Sequence, residues 1–200
     1  MTRNRLIQEH LDAIRQLQTP VGEAKTSPWP PEGYYLLWHL LVGMTMGGIG
    51  AAVSLLANVI GAPLFGKEPL ELIRVYLTFP MGEAALTDPS PKVLTVGCFL
   101  YLFTGGFYGI VFHLLMSTLF VGSSLVKRLI VGSVIGLSLW VINFYAILSW
   151  LQPMLLGDNW IVERVPMWVA AATHLAFAWT LVAAESWGRF VPYRPEQGRN

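Results

Sequence analysis

The sequence predicts an all-α polytopic membrane protein: a four-transmembrane-helix bundle with an N-terminal amphipathic helix and an interfacial helix in the first outer loop. Three observations predict it. Of 200 residues, 54% are hydrophobic and 12% are charged, about half the charge of an ordinary soluble domain, which is roughly 25%. The charges also leave four gaps: 34 residues between Glu32 and Lys67, 34 between Lys92 and Lys127, 29 between Arg128 and Asp158, and 20 between Arg164 and Glu185. A bilayer core takes about 20 mostly apolar residues. Finally, the apolar runs are continuous, whereas a membrane β-barrel alternates over segments of about ten residues. A soluble enzyme, a disordered tail and a disulfide scaffold are excluded.

The N-terminal 1–33 region comes first. Residues 2–18 read as an amphipathic helix: Thr2 can cap it, and Ile7, Leu11 and Ile14 recur at helical spacing. His10 falls on this helix and is expected to be solvated. Pro20, Pro28, Pro30 and Pro31 make 19–33 an extended connector, because proline blocks helix continuation. No apolar leader region is visible among Arg3, Arg5, Glu9, Asp12 and Arg15, so insertion through the first span is expected.

The spans are expected at about 34–60, 93–120, 128–152 and 166–187, helical because lipid offers no partner to free backbone groups. Between the first two, Pro69 to Phe79 reads as a helix. Glu71, Arg74 and Thr78 form one stripe and Leu70, Ile73 and Leu77 another, and Pro80 is expected to end it. It lies flat at the outer interface or folds over the bundle. A tail, 188–200, follows the last span.

Basic residues set the orientation. Nine lie on the side of the termini (Arg3, Arg5, Arg15, Lys25, Lys127, Arg128, Arg189, Arg194, Arg199) and four opposite (Lys67, Arg74, Lys92, Arg164). Positive loops resist translocation, so both termini are expected in the cytoplasm, with a bacterial inner membrane as the setting. Trp29, Trp38 and Trp187 fall near one boundary and Trp150, Trp160 and Trp168 near the other; Trp140 and Trp179 lie deeper and are expected to pack between helices.

Each span carries one small or polar face. The first has His39, Gly43, Gly47, Gly50, Ser54 and Asn58 at spacings of three and four. The second has Gly105, Gly109, His113 and Ser117, the third Gly132, Gly136 and Asn143, and the fourth Ala170, His174, Ala178 and Glu185. Small residues let membrane helices approach closely. The GxxxG pairs predict close packing without saying which helices meet.

His39 and His113 fall at matching depth. Two facing imidazoles with glycines nearby suit a bis-histidine haem b. They also suit a quinone site, a proton relay or a plain interhelical hydrogen bond. His174 has no histidine partner at its depth. Glu185 is expected to snorkel to the headgroups, Asn58 and Asn143 to bond between helices, and Cys98 to be a small packing residue that excludes an intrachain disulfide.

Net charge is +1, with no dense basic run, which argues against nucleic acid as a partner. No nucleotide-binding, zinc-protease or hydrolase motif is present. These observations point to the lipid bilayer and other membrane subunits as partners. The expected function is an accessory subunit of a larger membrane complex, such as an electron-transfer complex, without catalytic activity of its own. A haem b subunit exchanging electrons with quinone and a small transporter or channel are the alternatives.

Overall fold

The computed structural model describes residues 32–120 and 122–187. The amphipathic helix 2–18, His10, nearly all of the proline connector and the tail 188–200 lie outside these residues. By its contacts the chain divides into Met1–Tyr35 and Leu36–Asn200, and the helical bundle belongs to the second unit.

The helices are α1 (Glu32–Gly61), α2 (Glu71–Met81), α3 (Ala84–Thr87), α4 (Pro91–Leu119), the three-part α5, α6 (Trp160–Arg164) and α7 (Met167–Trp187). Helix α5 runs as α-helix over Leu125–Val141, π-helix over Ile142–Leu148 and α-helix again over Ser149–Leu156. A short 3₁₀ turn, Ala62–Phe65, closes α1. No strand occurs among the described residues. Four helices are long and apolar enough to cross a membrane: Leu36–Phe65, Pro91–Leu119, Leu125–Leu156 and Met167–Ser186. The chain is therefore an integral membrane protein built as a four-span helical bundle.

Span boundaries follow local chemistry. Pro91 starts α4, where its missing N–H is not needed. The Ser124 hydroxyl caps α5 by accepting from the Lys127 N–H. That cap begins the third span earlier than the charge gap suggested, so Lys127 and Arg128 are helical rather than loop residues.

Glycines decide which helices meet. A Cβ on Gly43 would lie 2.6 Å from Ile110 Cα, and one on Gly47 would meet the Gly105 carbonyl and Gly109 Cα. The first and second spans thus pair backbone to backbone through their two GxxxG faces. Gly50 instead faces Leu181 and Phe177 of α7. Gly132 and Gly136 receive α7 as well: added Cβ atoms would lie 2.8 Å from Val182 Cγ2 and 2.9 Å from Ala178 Cβ.

Helix α2 folds against the bundle. Ile73 and Leu77 are fully buried and fill the space over Gly97, with Cys98 packed beside them. Thr78, assigned to the polar stripe by the sequence, is fully buried too. Its hydroxyl accepts from Gln152 Nε2 at 2.9 Å, while Gln152 Oε1 accepts from the Ile161 N–H at 3.0 Å. One buried amide therefore ties α2, α5 and α6 together with its partners satisfied. Pro80 does not end α2. It sits in the last turn, and the helix stops at Gly82, whose φ of 65° breaks the helical path while its N–H bonds Thr78 O at 2.8 Å.

Trp140 packs against a cluster that includes Phe144 and Ile161. Trp179, expected between helices, is instead 49% exposed, its N–H donating to Ser133 Oγ at 2.8 Å. Its ring faces lipid because Ala178, not Trp179, occupies the contact with Gly136.

The glycine contact gives a sharp test. Gly47→Ala forces the first two spans apart and should lower the thermal stability of detergent-solubilised protein by about 1–3 kcal/mol. Gly48→Ala, beside it but with nothing within 4 Å of the added atom, should leave stability unchanged or slightly raised. Equal effects in the two variants would refute the pairing.

Candidate functional site

Two polar constellations lie inside the bundle. The first joins all four spans near the end where α1 begins and α7 finishes. His39 Nδ1 of α1 lies 3.0 Å from His113 Nε2 of α4. His113 Nδ1 lies 3.0 Å from Glu185 Oε1 of α7. Arg128 of α5 donates from Nη2 to the other oxygen, Oε2. The His113 and Glu185 side chains are 6% and 7% exposed, and that of Arg128 is 18%.

Proton directions follow from donor chemistry. A Glu185 carboxylate only accepts, so it takes one hydrogen from Arg128 and one from His113 Nδ1–H. That leaves a lone pair on His113 Nε2 to accept His39 Nδ1–H. With both rings neutral, the chain holds one positive and one negative charge. Charges in a bilayer are costly and normally pair. Here each of the two meets its counter-charge through a direct hydrogen bond.

Glu185 therefore does not snorkel. Packing of α7 against α5 turns its carboxylate inward, where Arg128 is waiting. In the sequence Arg128, at the edge of the third span, reads only as a topology signal. The available signal was two opposite charges at matching depth on consecutive spans.

The haem arrangement does not fit. His39 Nδ1 and His113 Nε2 are 3.0 Å apart, sharing a hydrogen bond, and the ring centroids are 5.2 Å apart, so no metal fits between the two nitrogens that would have to hold it. Nor do the glycines leave room for a macrocycle, since the neighbouring backbone fills that space. No group of three or more potential metal ligands occurs among the described residues.

The second constellation is a cavity of about 400 Å³ between the middle of the bundle and its other end. Its walls are mostly apolar, with Leu72, Val75 and Phe79 of α2 on one side and Phe144, Ile147 and Leu148 of the π-helix on another. Polar groups are neutral and mostly arranged in short chains. Tyr76 donates to Thr104 Oγ1 at 2.6 Å. Tyr108 donates to Asn143 Oδ1 at 2.6 Å, and Asn143 Nδ2 faces His174 Nε2 at 3.5 Å. His174 Nδ1 donates to the Ala170 carbonyl at 2.7 Å. Ser54 bonds Tyr101 at 3.3 Å and the Thr173 carbonyl at 3.0 Å. Asn58 lines the cavity and makes no hydrogen bond among the described residues. Burial pushes the Tyr76 phenol above its ordinary value of 10.0, against the lowering effect of its bond to Thr104, which keeps this wall uncharged.

The structure thus separates residues that the sequence grouped by face. His39, on the first-span stripe, goes to the charged chain. Gly43, Gly47 and Gly50 go to packing, and Ser54 and Asn58 to the cavity. Asn143 and His174, unconnected in sequence, become neighbours. Tyr101, Thr104 and Tyr108 were missed, although their spacing of three and four residues places them on one helix face. A transport path along the stripe from His39 to Asn58 is blocked by backbone at Gly43 and Gly47.

Comparison with protein-family models, curated proteins and solved structures finds no match for this chain. The site is therefore read from its own geometry.

The buried ion pair makes a quantitative prediction. Glu185→Leu and Arg128→Leu each strand one charge and should cost about 3–5 kcal/mol of stability. The double variant should recover most of that loss. Thermal unfolding of the four members of this double-mutant cycle, in one detergent, measures the coupling. Additive single effects would show that the two side chains act independently.

Proposed function

We propose that this chain is a non-catalytic accessory subunit of a larger membrane assembly, in a bacterial inner membrane with both termini cytoplasmic. The supporting observation is how the bundle spends its side chains. Its charged intramembrane groups, Arg128 and Glu185, are turned on one another, and the glycines of its GxxxG faces are taken up in internal packing. The outward faces remain broad and apolar. Within the most apolar stretch of each span, the buried share is 33%, 28%, 17% and 28% in chain order. The third span is thus the least covered and offers the widest face to lipid or to a partner helix.

Exposed Val126, Ile130, Val134, Val141 and Tyr145 run along that face. Loops are short and carry no catalytic motif, so the available work is binding and bracing. The nine-to-four distribution of basic residues supports the orientation. An electron-transfer complex is the assembly class that suits the chain best. Such complexes exchange small ring molecules through the apolar phase, and the neutral intramembrane cavity has a suitable size and polarity.

The reading has a direct check. After mild detergent extraction from its native membrane, the protein should migrate on a native gel with a larger complex and co-purify with the same subunits in repeat preparations. Replacing Val134 by Trp on the third-span face should release it from that complex while leaving its own fold intact. Migration as a lone monomer or simple homo-oligomer would count against an accessory role.

A further inference from the structure

We propose that the cavity lined by α1, α2, α4, α5 and α7 binds an isoprenoid hydroquinone, its hydroxyl donating to His174 Nε2. This does not depend on the accessory-subunit reading. Proton positions limit what the cavity can hold. The Ala170 carbonyl can only accept, so His174 Nδ1 carries a hydrogen. In the neutral ring Nε2 is then an acceptor. Its nearest partner, Asn143 Nδ2, stands at 3.5 Å, at the limit of a useful hydrogen bond. Within a cavity of this size, that acceptor is under-used.

The neighbours share this bias. Tyr76 and Tyr108 both commit their hydrogens, to Thr104 and Asn143, and Thr104 commits its own to the Leu100 carbonyl. Their oxygens keep lone pairs and no hydrogen to give. A ligand entering here meets a free acceptor at His174 Nε2, lone pairs on the tyrosine oxygens, and amide hydrogens on Asn58 and Asn143. Either a hydroxyl or a carbonyl head can accept from these amides, but only a hydroxyl-bearing head can also donate to His174 Nε2. The half-buried amide of Asn58, on the facing wall, can take a second oxygen.

Shape narrows the class further. Aromatic rings of Tyr76, Phe79, Tyr101, Tyr108, Phe144 and Phe177 contribute to the walls, which favours a flat ring head that can stack. The cavity falls within the usual size of small-molecule sites, about 300–1,000 Å³, and it is only partly enclosed. A long apolar tail can therefore leave the site. A π-helical stretch, Ile142–Leu148, forms one wall, and such stretches occur often at functional sites.

The test uses the full chain in lipid nanodiscs and radiolabelled decylubiquinol under argon. Saturable binding is expected, weakened about tenfold or more by His174→Phe, the change expected when a buried hydrogen bond is lost. Leu100→Trp, which fills the cavity from a half-buried position and removes no hydrogen-bonding side chain, should abolish binding. Both variants are checked for unchanged gel-filtration and circular dichroism profiles, and Leu100→Trp keeps the test decisive should His174→Phe misfold. Decylubiquinone, lacking the hydroxyls, should bind several-fold more weakly. Cholesterol, a hydroxyl-bearing lipid without an aromatic head, should compete poorly. Equal competition by cholesterol would overturn the hydroquinone assignment in favour of a lipid alcohol. Absence of saturable binding, or binding untouched by Leu100→Trp, would overturn the site itself.

Discussion

The contact on which the remaining arrangement depends is the backbone-to-backbone approach of the first two spans. Gly43 and Gly47 on one side and Gly105 and Gly109 on the other allow two antiparallel helices to touch without side chains between them. In lipid there is no water to expel from between helices, so close packing must supply the association. The register follows from that contact. One turn before Gly43 stands His39, and one turn beyond Gly109 stands His113. The histidine hydrogen bond is thus a consequence of glycine packing, and its 3.0 Å length reports how close the backbones are. In the other direction the same register brings Ala51 onto Gly105 and Ser54 to Tyr101, where the cavity opens.

Between the charged chain and the cavity lies an apolar layer. Phe112 and Leu181 are fully buried there, and Phe177, on the cavity wall, is 8% exposed. The two polar regions therefore share a bundle but no hydrogen-bonded path. Among the described residues no side-chain hydrogen bond joins the histidine pair to Tyr108 or His174. The charged chain is better understood as a brace. It gives every span one polar attachment at a common depth, and it holds Glu185 and Arg128 together where either alone would be unstable. The cavity, free of charge, suits an apolar ligand because covering a permanent ion with one would cost the ion its solvation.

How much of this was legible beforehand depended on period and sign. The four spans showed themselves as charge-free gaps, and the glycine faces as spacings of three and four. Both are one-dimensional signals that survive folding. Which glycines meet was not legible, because GxxxG says only that a neighbour is close. Arg128 was hidden for a different reason: a basic residue at a span end reads equally as a topology signal or as half of an ion pair, and only the three-dimensional position of Glu185 decides. Thr78 was misplaced because a threonine on a surface stripe looks solvated until a buried Gln152 comes from 74 residues away to meet it. The π-helix at 142–148 has no clear sequence mark, and Asn143, Phe144, Ile147 and Leu148 from it line the cavity.

The unequal treatment of the intramembrane histidine and asparagine side chains follows from these constraints. In a bilayer a polar group must find a partner within the protein or keep a place for one that arrives. His39 and His113 found partners through glycine packing, and their hydrogen bonds are short and directional. Asn143 and His174 met across a helix that changes its winding, and their contact is long. Asn58 met nothing among the described residues. A bundle selected only for stability would have closed these gaps with leucine, as it did over Gly97 with Leu77 and Ile73. Buried polar atoms without a partner among the described residues also occur outside the cavity lining, at Arg128 Nε, Trp140 Nε1 and Asn159 Oδ1. It is therefore the combination of a weakly used acceptor on His174 with an open cavity, rather than loose pairing by itself, that supports the ligand proposal.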